Sequence, residues 1–319
     1  MISLRYHIVS LVAVFLALAL GIVVGSTVLK EGSVALLRAT SNKVRAESEA
    51  ARADNARLRA QLGNYQDFTA SVLPQLVHDR LRTRSVVLVD TDRVDDATRD
   101  KVTKAVEAAG GTVDGRITFA TDRLTLAGAG DRDALRRLLP AAQGDPADPA
   151  ALRAALIGLL VDRLAVPNRL PQDDRSRPAD VLTGLQDARF LADLPLQRPF
   201  ADGRTPFPRP GSLFVLIGPT DPTTLPSGAF LVPLADRLAT RTAAVVGVEK
   251  ADGTTSWVAD LRNARGVANR VSTVDDVDQV YGQVALVEAL QRRVDGQGTG
   301  QYGTKPGASA LLPEKPGGS

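Results

Sequence analysis

The segment RSVVLVDTDRVDDATRDKVTKAVEAAGGTVDGRITFA, residues 84–120, decides the fold class of this chain. The apolar run SVVLVD at 85–90 is typical of a buried strand, and TVDGRITFA at 112–120 of a second strand. Between them, the amphipathic stretch at 94–110 indicates a helix that ends at Gly110. Strand, helix and strand within about 30 residues form a right-handed parallel unit. The sequence therefore predicts an α/β domain with a mainly parallel, Rossmann-like sheet.

Further apolar runs continue this pattern and predict three more strands. They are LFVLIG at 213–218, TAAVVGV at 242–248 and NRVSTV at 269–274. A last amphipathic helix follows at about 276–293, so we expect the α/β domain to span residues 83–294. Glycine and proline become frequent after Asp295, which predicts a flexible tail over residues 295–319.

The amino-terminal part of the chain carries an apolar run without a charged side chain from Ile8 to Leu29. As a helix this run would span roughly 33 Å, enough for a hydrocarbon core of about 30 Å. Cleavable signals usually have a shorter apolar region, so we predict an uncleaved transmembrane signal anchor in residues 1–30. A cleaved signal and a buried soluble helix are the alternatives. Basic residues flank the run on both sides, so charge alone leaves the orientation open.

Residues 31–82 predict a coiled-coil stalk. The chain has no Gly or Pro from Ser33 to Leu62 and is rich in helix formers. Apolar or small residues recur at seven-residue spacing, with Asn55 and Leu62 at a companion position, and we call these residues the seam. The seam consists of Leu37, Val44, Ala51, Asn55, Leu58, Leu62, Tyr65 and Val72. Asn55 fits a parallel homodimer, because a buried Asn fixes register and oligomer state. A solvated, charged helix without a partner is the alternative.

Composition excludes several function classes. The 319 residues carry a net charge of +3, with both signs interspersed, which gives no support for nucleic-acid binding. The chain has no cysteine, so disulfides and thiolate-based metal or redox sites are excluded. No phosphate-binding loop, nucleophile elbow or complete dinucleotide motif is present.

The strongest enzymatic pattern follows the first strand. VVLVDTDRV at 86–94 places Asp90 and Asp92 at the end of the strand and resembles the D-x-D-x-[TV] motif of haloacid-dehalogenase-like phosphatases. By that resemblance, other residues take the remaining active-site positions of that family. They are Thr220, Lys250, Asp275 and Asp276. The acidic residues fit helix caps and loops equally, because carboxylates favour helix amino termini. We therefore keep a phosphatase as the second alternative function.

Several stretches together resemble one family, the actinobacterial copper transporters named for the mycobacterial copper transport protein B. They are MISLRYHIVSLVAVFLALALGIVVGSTVL at 1–29, RSVVLVD at 84–90, VSTVDDVD at 271–278, GQVALVEAL at 282–290 and GQYGTKPGASALLPE at 300–314. The resemblance covers nearly the whole chain. It implies an envelope protein with a role in copper homeostasis or efflux, anchored in the plasma membrane with its carboxyl side outside the cytoplasm.

The residues themselves offer few copper ligands. Cuprous copper prefers Cys and Met sulfur and cupric copper prefers imidazole, yet the chain has only Met1, His7 and His78. We expect no metal site, no cofactor and no catalytic residue, and hence a non-enzymatic protein whose copper role is indirect. Its expected partners are the membrane, a second copy through the stalk and an envelope protein. A scaffold for a partner in cell-wall remodelling or division is the alternative function.

Overall fold

A computed structural model of the chain describes residues 4–139, 148–165, 181–192, 207–253 and 256–314. Two compact units are present, Met1–Tyr65 and Gln66–Ser319. One helix, α1, runs from Leu4 to Val77.

The first unit consists of the amino-terminal part of α1. Its segment Tyr6–Gly25 has a mean hydropathy of 2.9 and is long and apolar enough to cross a membrane. This finding agrees with the predicted apolar helix. Farther along α1, the apolar seam side chains of this unit are exposed. These are Leu37, Val44, Leu58, Leu62 and Tyr65.

A six-stranded parallel sheet forms the centre of the second unit. Its strands are β1 Ser85–Thr91, β2 Thr112–Phe119, β3 Leu213–Ile217, β4 Val245–Val248, β5 Ser272–Val274 and β6 Gln301–Tyr302. The order across the sheet is β2-β1-β3-β4-β5-β6, and every neighbouring pair is parallel. The predicted α/β fold is confirmed. β4 and β5 begin three residues later than the apolar runs that predicted them.

Helices cover both faces of the sheet. They are α2 Asp96–Ala108, α3 Thr121–Leu124, α4 Ala129–Leu138, α5 Pro149–Leu164, α6 Val181–Asp187, α7 Leu231–Ala239, α8 Trp257–Asn263 and α9 Val280–Val294, with a 3₁₀ turn at Ser227–Ala229. Val87 and Val89 of β1 join the core formed with α3 to α8. Val86 and Leu88 join the opposite core, formed with α2, α9 and the end of α1. The second unit is therefore a three-layer α/β domain.

The carboxyl-terminal residues 300–310, which we call the strap, pack against the sheet. β6 pairs with β5, and the strap folds back on itself where the amide of Ser309 donates to the carbonyl of Gln301 at 2.7 Å. The sequence predicted a flexible tail over residues 295–319, and within it residues 300–310 form backbone hydrogen bonds with the domain. Residues 315–319 lie outside the described residues.

Gly303 is required where the strap turns. Its φ is +125°, and a Cβ at this position would overlap Oδ1 of Asp275. Both the backbone conformation and the close approach therefore exclude a larger residue.

We predict that Gly303→Ala lowers the free energy of unfolding by about 2 kcal/mol or more, since Ala brings both left-handed strain and overlap. Gly296→Ala is the matched control. Its φ is +71°, but no atom of the described residues lies within 4 Å of its Cβ position, so we expect a loss of about 1 kcal/mol from strain alone. Urea unfolding, followed by the fluorescence of Trp257, measures both. Equal losses in the two variants would contradict the overlap.

Candidate functional site at the carboxyl edge of the sheet

The six candidate active-site residues all lie within or after the last residues of strands, at the carboxyl edge of the sheet, where parallel α/β folds bind their ligands. Asp90 is the penultimate residue of β1, and Asp92 comes directly after the end of this strand. The others follow β3, β4 and β5. A common active site would require their side chains to meet around one space.

Asp90 is fully buried and paired with an arginine. The Arg99 Nε atom of α2 donates to Oδ2 of Asp90 at 2.6 Å, and its Nη2 atom donates to the carbonyl of Thr91 at 2.9 Å. Burial raises the pKa of Asp90, and the hydrogen bond and positive charge of Arg99 partly offset this rise. No surface of this carboxylate is exposed, so it links β1 to α2 and presents no oxygen to solvent.

Asp92 is held by a different helix. Its Oδ1 atom accepts from the amide of Thr121 at 3.1 Å and from the Thr121 hydroxyl at 2.6 Å. Thr121 is the first residue of α3. The two aspartates of the D-x-D pattern are thus bound to α2 and to α3 respectively.

The loops that follow β1 and β3 bind each other directly. The amides of Thr220 and Asp221 donate to the carbonyl of Arg93 at 2.8 and 3.0 Å, and the amide of Asp95 donates to the Thr220 hydroxyl at 2.8 Å. The Lys250 side chain also approaches Asp95, and its Nζ atom lies 3.7 Å from Oδ2 of Asp95. The structure therefore brings Thr220 and Lys250 together around Asp95, in the crevice where the strand order reverses, and the chain's own contacts occupy this crevice.

Glu249 is a residue of this edge that the sequence analysis missed. It is buried and accepts from the Ser256 hydroxyl at 2.6 Å and from Lys305 Nζ at 2.8 Å. Lys305 belongs to the strap and also donates to the carbonyl of Lys250 at 2.9 Å. The only sequence signal was an acidic residue at the end of an apolar strand.

Asp275 and Asp276 bind the strap as well. Asp275 pairs with Arg262 Nη1 of α8 at 2.8 Å and accepts from the amides of Thr304 at 2.8 Å and Lys305 at 3.2 Å. Oδ1 of Asp276 accepts from the Thr304 hydroxyl at 3.1 Å. Burial raises the pKa of Asp276 to about 6, and the adjacent Asp275 adds to the rise. This cluster thus binds two backbone amides and a hydroxyl of the chain's own carboxyl-terminal segment.

Metal ligands do not converge in the part of the chain that the structure describes: no group of three or more His, Cys, Asp or Glu side chains there could hold an ion. His78 is exposed, with Nδ1 3.5 Å from Oδ2 of Asp79. In the seam, the Asn55 side chain donates to the carbonyl of Ala51 in its own helix at 3.0 Å. Val72, in the second unit, is half-buried.

Comparison with known proteins agrees with the family resemblance seen in the sequence. A family model described as "Copper transport outer membrane protein, MctB" matches residues 1–313. The chain is similar to the copper transporter MctB of Mycobacterium tuberculosis strain H37Rv, with 29% identity over 98% of this chain and 99% of the relative. It is 30% identical to the copper transporter MctB of Mycobacterium leprae strain TN over the same shares of the two chains.

We predict that Arg99→Met lowers the free energy of unfolding by about 3–5 kcal/mol, because it leaves the buried Asp90 carboxylate without its cation. Arg137→Met is the control, since Arg137 is exposed on α4 and its change should stay within about 0.5 kcal/mol. Adding Asp90→Leu to Arg99→Met should recover much of the loss by removing the unpaired charge. Urea unfolding of the three variants measures these differences. Similar values for Arg99→Met and Arg137→Met would show that the Asp90 pair contributes nothing.

Proposed function

The chain belongs to the MctB family, and from this membership we propose that it serves copper homeostasis as a non-catalytic protein of the cell envelope. The observation that carries the proposal is the match of the family over residues 1–313, which includes the apolar helix, the long helix and the α/β domain. The relatives named copper transporters share this full length.

The geometry of the carboxyl edge supports a non-catalytic domain. Nucleophilic and acid–base residues need an exposed atom within reach of a substrate. Here Asp90 is buried against Arg99. Asp92 is exposed, but its Oδ1 atom binds the start of α3, and Asp90 presents no oxygen beside it with which it could form an exposed carboxylate pair. Where related folds open a crevice, the carbonyl of Arg93 accepts from the loop after β3. The protein therefore acts through its surfaces and its assembly.

An anchor in the plasma membrane agrees with the apolar segment of α1. Tyr6–Gly25 is uncharged and about as long as the hydrocarbon core is thick. The family description names the outer membrane. A single apolar helix supports the plasma membrane, however, and we place the α/β domain on its extracytoplasmic side, since large domains translocate with little regard to charge.

The copper role is indirect. The chain has no cysteine, a single methionine at position 1 and two histidines, although sulfur and imidazole are the ligands that copper prefers. Of the histidines, His7 begins the apolar segment and His78 follows the end of α1. An indirect role requires a protein partner in the envelope that moves or binds the metal.

A homodimer formed through the stalk would present this partner with two domains. The seam leucines Leu58 and Leu62 lie one helical turn apart, and both are exposed in the single chain. Packing them against a second copy would remove apolar surface from water at about 25 cal/mol per Å². Asn55 would set the register of such a pair.

The copper role predicts that a strain without this gene grows less well than its parent on elevated copper. The wild-type gene should restore growth, and so should a His7→Ala/His78→Ala variant, because no imidazole is required. Residues 26–319, secreted behind a cleavable signal, should fail to restore growth if the anchor is retained and needed. Measured growth across a copper series tests this. Equal growth of the deletion strain and its parent would contradict the copper role.

The stalk predicts opposite effects for two variants. Leu58→Asp would bury a charge in the dimer, at a cost of several kcal/mol, and should convert the dimer to a monomer. Asn55→Leu removes a buried polar group and should raise the melting temperature while relaxing the choice of oligomer. Light scattering and thermal melts of residues 31–319 measure both effects. A monomeric wild type at tens of micromolar, unchanged by Leu58→Asp, would favour the solvated helix.

A further inference from the structure

Three acidic side chains lie beneath the strap, and only two of them have a cationic partner. Glu249 pairs with Lys305 Nζ at 2.8 Å, and Asp275 pairs with Arg262 Nη1 at 2.8 Å. Asp276 forms no ion pair within the described residues. All three are buried, and the two aspartates have no exposed surface. Asp276 is thus the unmatched charge of the cluster.

The two oxygens of Asp276 have different surroundings. Oδ1 accepts from the hydroxyl of Thr304, a strap residue. Oδ2 is buried and receives no hydrogen bond, and the polar side chains next to the Asp276 carboxyl group, besides Thr304, are those of Asp275 and Tyr281. Two carboxylates in contact and away from water cannot both ionise without a large cost. A proton on Asp276 removes this repulsion and supplies the missing hydrogen bond.

Charged and titratable groups of the neighbouring elements lie around the three acids. Asp275 after β5 and Tyr281 on α9 interact with Asp276 itself. Arg262 on α8 pairs with Asp275, and Lys305 on the strap pairs with Glu249 after β4. Asp278, before α9, accepts from the amide of Ala251. Lys250 is engaged by Asp95 and Asp252. Arg262 forms its ion pair with Asp275 and Lys305 forms its ion pair with Glu249, so neither is paired with Asp276.

We propose that the strap is a proton-controlled latch, held most tightly when Asp276 is protonated and loosened when Asp276 ionises. Thr304 and Lys305 donate their amides to Asp275, so repulsion between the two aspartates acts directly on the residues that fasten the strap. Gly303 adds to the coupling, because its backbone lies against Asp275 without a side chain between them.

The direction of the pH dependence follows from the closed state. Burial and Asp275 raise the pKa of Asp276 from its ordinary 3.8 to about 6 when the strap is closed. An open strap lets water reach Asp276, and its pKa falls toward the ordinary value. The closed state therefore binds the proton more tightly, and closure is fully favoured below about pH 4. This preference is lost as the pH rises through about 6.

Opening the latch changes the edge of the sheet. The amide of Thr273 donates to the carbonyl of Gly300 at 3.0 Å, and that of Asp275 to the carbonyl of Tyr302 at 3.2 Å. Both bonds are lost when the strap leaves, and β5 then becomes an unpaired edge strand.

Hydrogen exchange of the full chain in detergent micelles tests the latch. Peptides covering residues 300–310 are followed at pH 5, 6 and 7, with rates corrected for intrinsic exchange. We expect the protection of the strap to fall about tenfold between pH 5 and pH 7, since one proton is linked to opening. Asp276→Asn, which carries no titrating proton, should show the same protection at all three values.

Asp278→Asn is the matched control, because Asp278 is a half-buried carboxylate two residues away whose Oδ1 accepts from the amide of Ala251. It should keep the wild-type pH profile. A flat wild-type profile, or an undiminished pH dependence in Asp276→Asn, would overturn the latch. A parallel loss of protection in β1 would also overturn it, since the change would then be global.

Discussion

Burial of both faces of the parallel sheet is the constraint on which the α/β domain depends. Successive residues of β1 alternate between two separate cores, with Val87 and Val89 on one side and Val86 and Leu88 on the other. A strand buried on both faces has no solvent side for polar residues. The polar groups of β1 are therefore confined to its ends, and those that are buried need partners there.

This confinement explains why the carboxyl edge is rich in charges and yet engaged by the chain itself. Asp90 is buried because it lies in β1, and the Arg99 guanidinium reaches it from α2. Glu249 directly follows β4 and accepts a hydrogen bond from Lys305 of the strap. Each buried carboxylate links the end of a strand to another element of the domain. The edge that serves many α/β proteins as an active site serves this chain as a set of internal clasps, which agrees with the non-catalytic function that we propose.

The sequence predicted the elements that local patterns determine. It did not predict the contacts between residues that lie far apart in the chain. The strand–helix–strand segment at residues 84–120 has clear apolar runs, and its strands and helix form as expected. β6 was missed because a two-residue strand in a glycine-rich segment has no periodicity. The pair of Glu249 and Lys305 joins residues 56 positions apart, so no spacing rule could indicate it. The acidic pattern after β1 was visible in the sequence, but only the structure shows that Asp90 and Asp92 bind different helices.

The buried carboxylate of Asp276, beneath the strap, differs from that of Asp90. Arg99 neutralises Asp90 at any ordinary pH, because a guanidinium does not lose its proton. Asp276 has no such cation, and its charge depends on the solution. A fold built only for stability would pair both, since an unmatched buried carboxylate is costly. Because Asp276 lies beneath the strap without a cationic partner, closure of the strap depends on the proton concentration. If the domain lies outside the plasma membrane, as we propose, no cytoplasmic buffer fixes its pH, and the strap is the element whose state would follow the surroundings.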